Sequence, residues 1–319
     1  MESTKIGSFT RLPYPSNIIV DIHSYCNASC KTCPYRELSK KLPMGMMEES
    51  LFTKVIDEFS SIAKNHAIRG HVIFCNMGDL FIDPNVFKKI SYVLNAGLDF
   101  IIQTNAFLLT PERTDKLIST GFKGPIYISC HGITPDVYRH VMGLDFGITI
   151  KNIEYLIEHY PKKKIHIRAI PYEWPLGEVL KVKRYWKERD VSVKIFLPNS
   201  RTGLLDNCAS WNLKYPGNKL KGCKKTLPLR DMVISSNGDA VLCCEDMARK
   251  VILGNVKERS LQEVWNSAQA IDILGKIFMG KPSPDDFICK TCEFGVSTPF
   301  RKLVKTIDNE WHRLLRCHI

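Results

Sequence analysis

The chain has 319 residues, enough for one barrel-sized unit or for a large domain with a small one. Hydrophobic residues make up 44% and charged residues 24%, so an ordinary globular core is available and cysteines are not needed as staples. The formal net charge is +12, carried in short basic blocks such as Lys162-Lys163-Lys164; aromatic residues do not interleave with them, which argues against a nucleic-acid platform and leaves solvated helix faces or an anionic ligand.

The opening stretch, MESTKIGSFT, has no apolar signal core, and no run reaches the ~18 apolar residues of a membrane span. The chain therefore reads as cytoplasmic, without a membrane partner. Its 12 cysteines, in a compartment where thiols stay reduced, point to metal or catalysis rather than disulfides.

In chain order, residues 1–16 read as an N-terminal arm. From 17 to 200, short Ile- and Val-rich strand candidates at 17–23, 71–75, 99–104, 125–131, 164–170 and 191–197 alternate with helical patterns at 48–64, 84–95, 111–120, 148–159 and 175–189. Pro84, Pro111 and Pro175 open three of these helices. Repeated βα units imply an α/β fold with a parallel sheet and right-handed crossovers, either an open sheet or a barrel. The rhythm stops near Asn199. Residues 201–220 read as a linker, and a small α+β unit at 221–295 follows. Its Asn237-Gly238 pair between two apolar runs signals a hairpin. Residues 296–319 read as a C-terminal helix.

The chemistry-bearing cluster is Cys26-Asn-Ala-Ser-Cys30-Lys-Thr-Cys33, directly after the first strand. Three thiolates on a four-iron cube leave one iron open for chemistry. Zinc with His23 as fourth ligand is the alternative. This Cys-x3-Cys-x2-Cys pattern resembles the signature of the radical S-adenosylmethionine (radical SAM) superfamily. The resemblance covers roughly residues 17–200 and implies a partial (βα)6 barrel. It also implies a [4Fe–4S] cluster on Cys26, Cys30 and Cys33 that binds S-adenosyl-L-methionine and splits it to methionine and a 5′-deoxyadenosyl radical. Thr32 stands where the family usually has an aromatic residue, with Tyr35 just beyond. Gly78-Asp79 after the second strand is similar to the family's glycine–glutamate motif, and Thr104-Asn105 after the third to its Thr-Asn-Gly. Ser129-Cys130-His131-Gly132 stands where relatives have Ser-x-Asp-Gly. The resemblance thus implies cofactor contacts at Gly78, Asp79, Thr104, Asn105 and Ser129.

Strand alternation puts Tyr127, Ser129 and His131 on one face and Ile126, Ile128 and Cys130 on the other. The polar set suits a barrel interior, which makes Cys130 a structural thiol. Active residues of such barrels gather at the C-terminal strand ends. Candidates there are His131, Arg168, Tyr172 and Glu173 for catalysis, and Arg201 for the cofactor.

A second group comprises Cys223, Cys243, Cys289 and Cys292, with a Cys-x2-Cys knuckle at its end. Four thiolates saturate one iron–sulfur cluster, and structural zinc is the rival. The segment from Cys223 through Leu261-Gln-Glu-Val-Trp265 resembles the SPASM/twitch extension of radical SAM enzymes. That resemblance implies one auxiliary [4Fe–4S] cluster, with Cys243 rather than Cys244 as ligand. A saturated cluster suits carrying an electron, so a substrate radical losing an electron to it gives net oxidation. A flavodoxin- or ferredoxin-type reductant is the expected electron source.

The expected substrate is a small polar metabolite of sugar, aminocyclitol or nucleoside type. The basic balance, with Arg168 and Arg201 at the barrel mouth, suits a phosphate or carboxylate on it. Only 25 residues precede Cys26, short for the leader-binding domain that peptide modifiers of the family often add. A ribosomal peptide maturase and a non-catalytic electron-transfer protein remain the alternatives.

Overall fold

The computed structural model describes residues 3–172, 176–196, 198–205 and 220–297. Glu173, Cys208, Cys317, most of the expected linker and nearly all of the expected C-terminal helix lie outside the described residues.

The expected arm is folded. It forms a hairpin of β1 (Thr4–Ile6) and β2 (Phe9–Arg11), turned at Gly7 with φ 62°. Its Phe9 ring meets Phe278 edge-on at 5.2 Å, and the Arg11 guanidinium lies 3.7 Å over the Trp265 ring. The start of the chain is thereby clamped to its C-terminal third.

Next come β3 (Asn17–Val20), α1 (Tyr35–Leu38), α2 (Glu49–Asn65), β4 (His71–Phe74), α3 (Val86–Asn95), β5 (Asp99–Thr104) and α4 (Pro111–Ser119). They are followed by β6 (Ile126–Ser129), α5 (Pro135–Met142), α6 (Phe146–His159), β7 (Ile165–Ala169), α7 (Leu176–Glu188) and β8 (Ser192–Ile195). Strands β3 to β8 pair in parallel and in sequence order. Local chemistry sets the helix starts. Thr110 caps α4 ahead of Pro111, and the Asp145 carboxylate accepts from Ile148 N–H at 3.0 Å to open α6. Helix α5 was not among the expected elements, although Thr134-Pro135 followed by Val137, Tyr138, Val141 and Met142 carries its start signal and apolar face.

The C-terminal part adds β9 (Leu220–Cys223), β10 (Asp231–Ile234), β11 (Asp239–Val241), β12 (Ile252–Asn255), α8 (Leu261–Trp265), α9 (Ala268–Phe278), α10 (Ile288–Thr291) and β13 (Gly295–Ser297). The Asn237-Gly238 hairpin forms as expected. It does not build a sheet of its own: β10 pairs in parallel with β3, so the main sheet has nine strands in the order β12-β11-β10-β3-β4-β5-β6-β7-β8. Both ends of that order are edges, so the sheet is open. Residues expected to begin the C-terminal helix instead enter β13, which pairs with β9.

One face of β3–β8, with Ile18, Val20, Val72, Phe74, Phe100, Ile102, Ile126, Ile128, Ile165 and Ile167, is buried under the helices. Each such side chain contributes roughly 1.5–3 kcal/mol on burial. The opposite, concave face divides in two. Under the hairpin, Ile19, Val233 and Val241 form an apolar floor with Ile73, Cys244 and Ile252. Along β5–β8 the upper positions are Gln103, Tyr127, Ser129, His166, Arg168 and Lys194, with no carboxylate among them.

Candidate active site and cysteine centres

Cys26, Cys30 and Cys33 sit on the loop between β3 and α1. Helix α5 is its backstop: Ser29 N–H and Lys31 N–H donate to the Met142 and Val141 carbonyls at 3.0 and 2.8 Å. Gly143 ends α5 in the left-handed conformation (φ 70°), and a Cβ there would stand 2.1 Å from Ser29 Oγ. Cys26 N–H donates to the Tyr35 hydroxyl at 2.8 Å, which closes the loop upon itself. Asn105 Nδ2 donates to Asn27 Oδ1 at 2.9 Å, while Asn27 Nδ2 is buried with no partner.

The three thiols resist ionisation. Burial pushes Cys26 up to about 12 and Cys30 well above its ordinary value, with the charges of neighbouring cysteines adding to both. Burial also raises Cys33, against which the Arg201 charge works. Thiols crowded in a low dielectric ionise only around a cationic centre, so this donor set fits an iron–sulfur cluster. Among the described residues, no three His, Cys, Asp or Glu side chains converge as the shell of a single metal ion, at either cysteine group.

The strand ends close over this loop. Gly78 has φ 120°, and a Cβ on it would lie 2.4 Å from the Tyr25 carbonyl; Asp79 N–H donates to that same carbonyl at 3.0 Å. The buried Asp79 carboxylate accepts from Thr104 Oγ1 (2.7 Å), Asn105 N–H (2.8 Å) and Phe81 N–H (3.1 Å). It therefore ties the β4 and β5 ends together. Burial raises its pKa against those hydrogen bonds. Gly78, Asp79, Thr104 and Asn105, named from separate stretches of sequence, thus form one connected constellation beside Cys26.

Across the concave face, Arg168 Nη1 donates to Gln103 Oε1 at 3.2 Å and its guanidinium lies 3.9 Å over the Tyr127 ring. Ser129 stands beside it in register. His131 is buried and its Nδ1 accepts from Ile170 N–H at 3.3 Å; burial, aided by the Arg201 charge, lowers its pKa to about 4. It is a neutral latch between the ends of β6 and β7. Tyr172 is buried just beyond β7. Cys130 is fully buried, with its thiol donating to the Gly132 carbonyl at 3.3 Å, as strand phase predicted.

Arg201 is at a junction the sequence did not reveal. Its Nη1 lies 2.9 Å from Glu245 Oε2, and Lys225 Nζ lies 3.3 Å from Glu245 Oε1. Burial opposes the Arg201 charge, but Glu245, Cys33 and Cys244 outweigh it and hold its pKa above the ordinary value. Arg201 therefore links the first cysteine loop to the C-terminal unit.

In that unit, Cys289 and Cys292 flank the end of α10, and Gly295 N–H donates to the Cys292 carbonyl at 2.9 Å as the chain enters β13 beside Cys223. Burial, with Cys289 and Cys292 among the neighbouring charges, raises Cys243 well above its ordinary value. Cys292 is pushed up to about 12, again by burial, with Cys223 contributing. The charged neighbours of Cys244 are instead Glu245, Arg201, Lys225 and Asp231. Cys243 and Cys244 neighbour each other, and Cys243 also lies near Cys289 and Cys292, which in turn neighbour Cys223. Four thiols, Cys243 and Cys292 buried and Cys223 and Cys289 half-buried, fit a saturated cluster.

The chain matches the radical SAM superfamily over residues 20–174 and SPASM, an iron–sulfur cluster-binding domain, over residues 223–293. It belongs to the radical SAM superfamily. A curated relative, the S-adenosyl-L-methionine-dependent 2-deoxy-scyllo-inosamine dehydrogenase of Niallia circulans, is 22% identical over 281 residues, covering 87% of this chain and 92% of that protein. The crystal structure of BtrN in complex with AdoMet and 2-DOIA aligns with a TM-score of 0.59 at 20% identity, over 87% of this chain and 92% of that one. Streptococcus suis SuiB bound to its precursor peptide SuiA aligns with a TM-score of 0.65 at 14% identity, over 89% of this chain and 71% of that one. At such identities the solved structures speak to the fold alone. This radical SAM chain is an enzyme. Its cofactors are a [4Fe–4S] cluster with S-adenosylmethionine and, in the SPASM domain, auxiliary iron–sulfur. Among the described residues no helix is long and apolar enough to cross a membrane.

Proposed function

We propose that this enzyme oxidises a small polar metabolite of sugar, aminocyclitol or nucleoside type that carries an anionic group. Cys26, Cys30 and Cys33 would hold the first cluster, and Cys223, Cys243, Cys289 and Cys292 one auxiliary cluster. When bound, the first cluster would supply the electron that divides S-adenosylmethionine into methionine and a 5′-deoxyadenosyl radical; that radical would take one hydrogen atom from the substrate to give 5′-deoxyadenosine, and the auxiliary cluster would accept the remaining electron as a proton leaves to solvent.

The observation that carries this reading is the upper end of the concave face along β5–β8, where Gln103, Tyr127, Ser129, His166, Arg168 and Lys194 include no carboxylate. Arg168 is held rigid by Gln103 and Tyr127 and keeps further N–H donors for a phosphate or carboxylate. Arg201 already faces Glu245, so Arg168 is the anion contact, and Arg201 stays on the cofactor side next to Cys33. Gly78, Thr104, Asn105 and Ser129 line the cofactor's position. Asp79 has three protein donors on its roughly four acceptor sites, which leaves one for an amino group. His131, with its proton affinity lowered and its Nδ1 engaged, positions the β6 end and moves no proton. The dehydrogenase relative of Niallia circulans supports a small cyclic substrate.

Anaerobic incubation with deuterated candidates tests the reading. The true substrate alone places deuterium in 5′-deoxyadenosine. Transfer from a precursor peptide, and from no sugar, aminocyclitol or nucleoside, would overturn it in favour of a maturase.

A further inference from the structure

We propose that Arg249 and Asp21 are positioning residues for the cofactor, a buried ion pair through which the SPASM unit fixes the loop that faces the amino group of S-adenosylmethionine. This rests on the reading of Asp79 as the contact to that amino group. The loop, residues 75–79, follows β4 and is held at both ends. At its far end Asp79 is tied to the Tyr25 carbonyl and to Thr104 and Asn105. At its near end Asp21 Oδ1 accepts from Asn76 N–H at 2.6 Å and from Met77 N–H at 3.1 Å. Cys75 takes a left-handed φ of 61°, and this bend turns two successive N–H groups onto one oxygen. A residue other than glycine keeps such a conformation only where its surroundings enforce it, and the Asp21 carboxylate is placed to do so.

The other carboxylate oxygen is turned towards the C-terminal unit. Arg249 Nη2 lies 3.7 Å from Asp21 Oδ2 and donates to Ser24 Oγ at 3.4 Å; Ser24 Oγ in turn shares a hydrogen bond with Ser236 Oγ at 3.0 Å. The Arg249 and Asp21 side chains are 8% and 4% exposed, so the pair is shielded from solvent. Arg249 is itself placed by the turn between β11 and β12, which directly follows Cys243, Cys244 and Glu245. Its φ is a left-handed 53°, and its N–H donates to the Asp246 carbonyl at 3.0 Å. The Asp246 carboxylate accepts from Lys250 N–H at 3.0 Å and Val251 N–H at 2.9 Å, which closes the turn. Asp21 N–H also donates to the Ile234 carbonyl at 2.8 Å, so the β3 end is fastened to β10. Burial disfavours the Asp21 charge; Arg249 and the two amide N–H groups oppose it. Cys75, the neighbouring thiol, is kept protonated by burial and by the Asp21 charge. Removing Arg249 leaves a buried carboxylate without its cation. The carboxyl then takes a proton or shifts, and either change slackens its hold on Asn76 and Met77.

The test is equilibrium dialysis of S-adenosylmethionine against the anaerobically purified holoprotein, with iron content measured alongside. Arg249→Met should weaken binding roughly tenfold at full iron content, and Arg249→Lys should recover most of the loss. Asp21→Asn keeps an oxygen for the two N–H groups and has no charge to balance. The double variant Asp21→Asn, Arg249→Met should therefore bind S-adenosylmethionine as well as Asp21→Asn alone. Two residues that merely support the fold would instead give losses that add. Wild-type affinity in Arg249→Met, or additive losses in the double variant, would overturn the inference. If Arg249→Met fails to hold iron, the double variant decides: iron restored supports the pair, and iron still lost overturns it. Asp79→Asn separates this outcome from the reading beneath it. Wild-type affinity in Asp79→Asn would count against the amino-group contact, whereas weakened affinity there beside wild-type affinity in Arg249→Met would remove the role of the ion pair alone.

Discussion

The two cysteine groups sit about one Arg–Glu pair apart in connectivity, yet they are built on opposite plans. The first is a loop with three thiols, and the remaining side of the site is made from the ends of β4, β5 and β6. Its supports are hydrogen bonds from elements distant in sequence: α5 from behind, Tyr25 and Asp79 from the side, Asn105 from above. The second group draws four thiols from β9, the end of the hairpin and the short α10 knuckle, and among the described residues no strand end of the main parallel run closes over it. A three-thiol centre needs a protein-built open side because chemistry happens there. A four-thiol centre needs only to be enclosed.

Removing thiols separates the two plans most sharply. With two four-iron clusters, the wild type should carry roughly eight irons per chain. Cys26→Ala, Cys30→Ala or Cys33→Ala should abolish reductive cleavage of S-adenosylmethionine, measured as 5′-deoxyadenosine, and the triple change should leave roughly half the iron. Cys243→Ala should keep some cleavage and lose substrate oxidation. Cys244→Ala should keep all of the iron, because its thiol faces Arg201 and Lys225. If Cys244→Ala strips iron and Cys243→Ala does not, the assignment of the second group is wrong.

A smaller effect tests how the open side is held. Gly78→Ala forces a left-handed φ of 120° on alanine and brings its Cβ to 2.4 Å from the Tyr25 carbonyl. The strain is on the order of 2 kcal/mol or more, and it falls on the cysteine loop itself. The variant should melt several degrees lower and lose iron from the first centre while the second stays loaded. Gly45→Ala, where a Cβ meets nothing within 4 Å, should change neither.

Much of this was legible in the sequence where the signal is local. Isoleucines at alternate positions in 126–131 and 165–169 told which face is buried, and therefore that Tyr127, Ser129 and Arg168 share the other. The resemblance names Cys243 rather than Cys244 as a ligand, and the iron content of the two variants tests it. What was not legible depends on pairing at long range. Nothing in Asp231–Ile234 announces that it will lie parallel to Asn17–Val20 and carry the hairpin onto the main sheet. Nothing beside Arg201 announces Glu245. Helix α5 is a different case, since Thr134-Pro135 is a local start signal and Val137, Tyr138, Val141 and Met142 supply its apolar face. Its consequence is functional, because α5 supports the cysteine loop.

The smallest effect concerns the β6–β7 latch, and its sign can be worked out. His131 titrates near 4 in the folded chain because burial disfavours the imidazolium, and near 6.5 once unfolded. Below about 6.5 the unfolded chain binds the extra proton and the folded chain does not. The histidine's contribution to stability is therefore complete above about 6.5 and is lost as pH falls towards 4. Between pH 7.5 and 5 the loss is about 2 kcal/mol. Asp21 works in the opposite direction. Its burial raises it to about 6, so the folded chain takes up its proton first and gains stability over part of the same range. Raw pH profiles of the wild type thus mix opposing terms, with His23 and His166 lowered and Asp79 and Asp246 raised as well, and only a difference isolates the latch. Urea unfolding of the wild type and His131→Asn, compared at pH 7.5 and at pH 5, cancels Asp21. The wild type should lose about 2 kcal/mol more than the variant on acidification. Parallel profiles would mean that His131 takes up its proton in the folded chain, and that the imidazole is free to exchange a proton at the mouth of the sheet rather than holding two strand ends together.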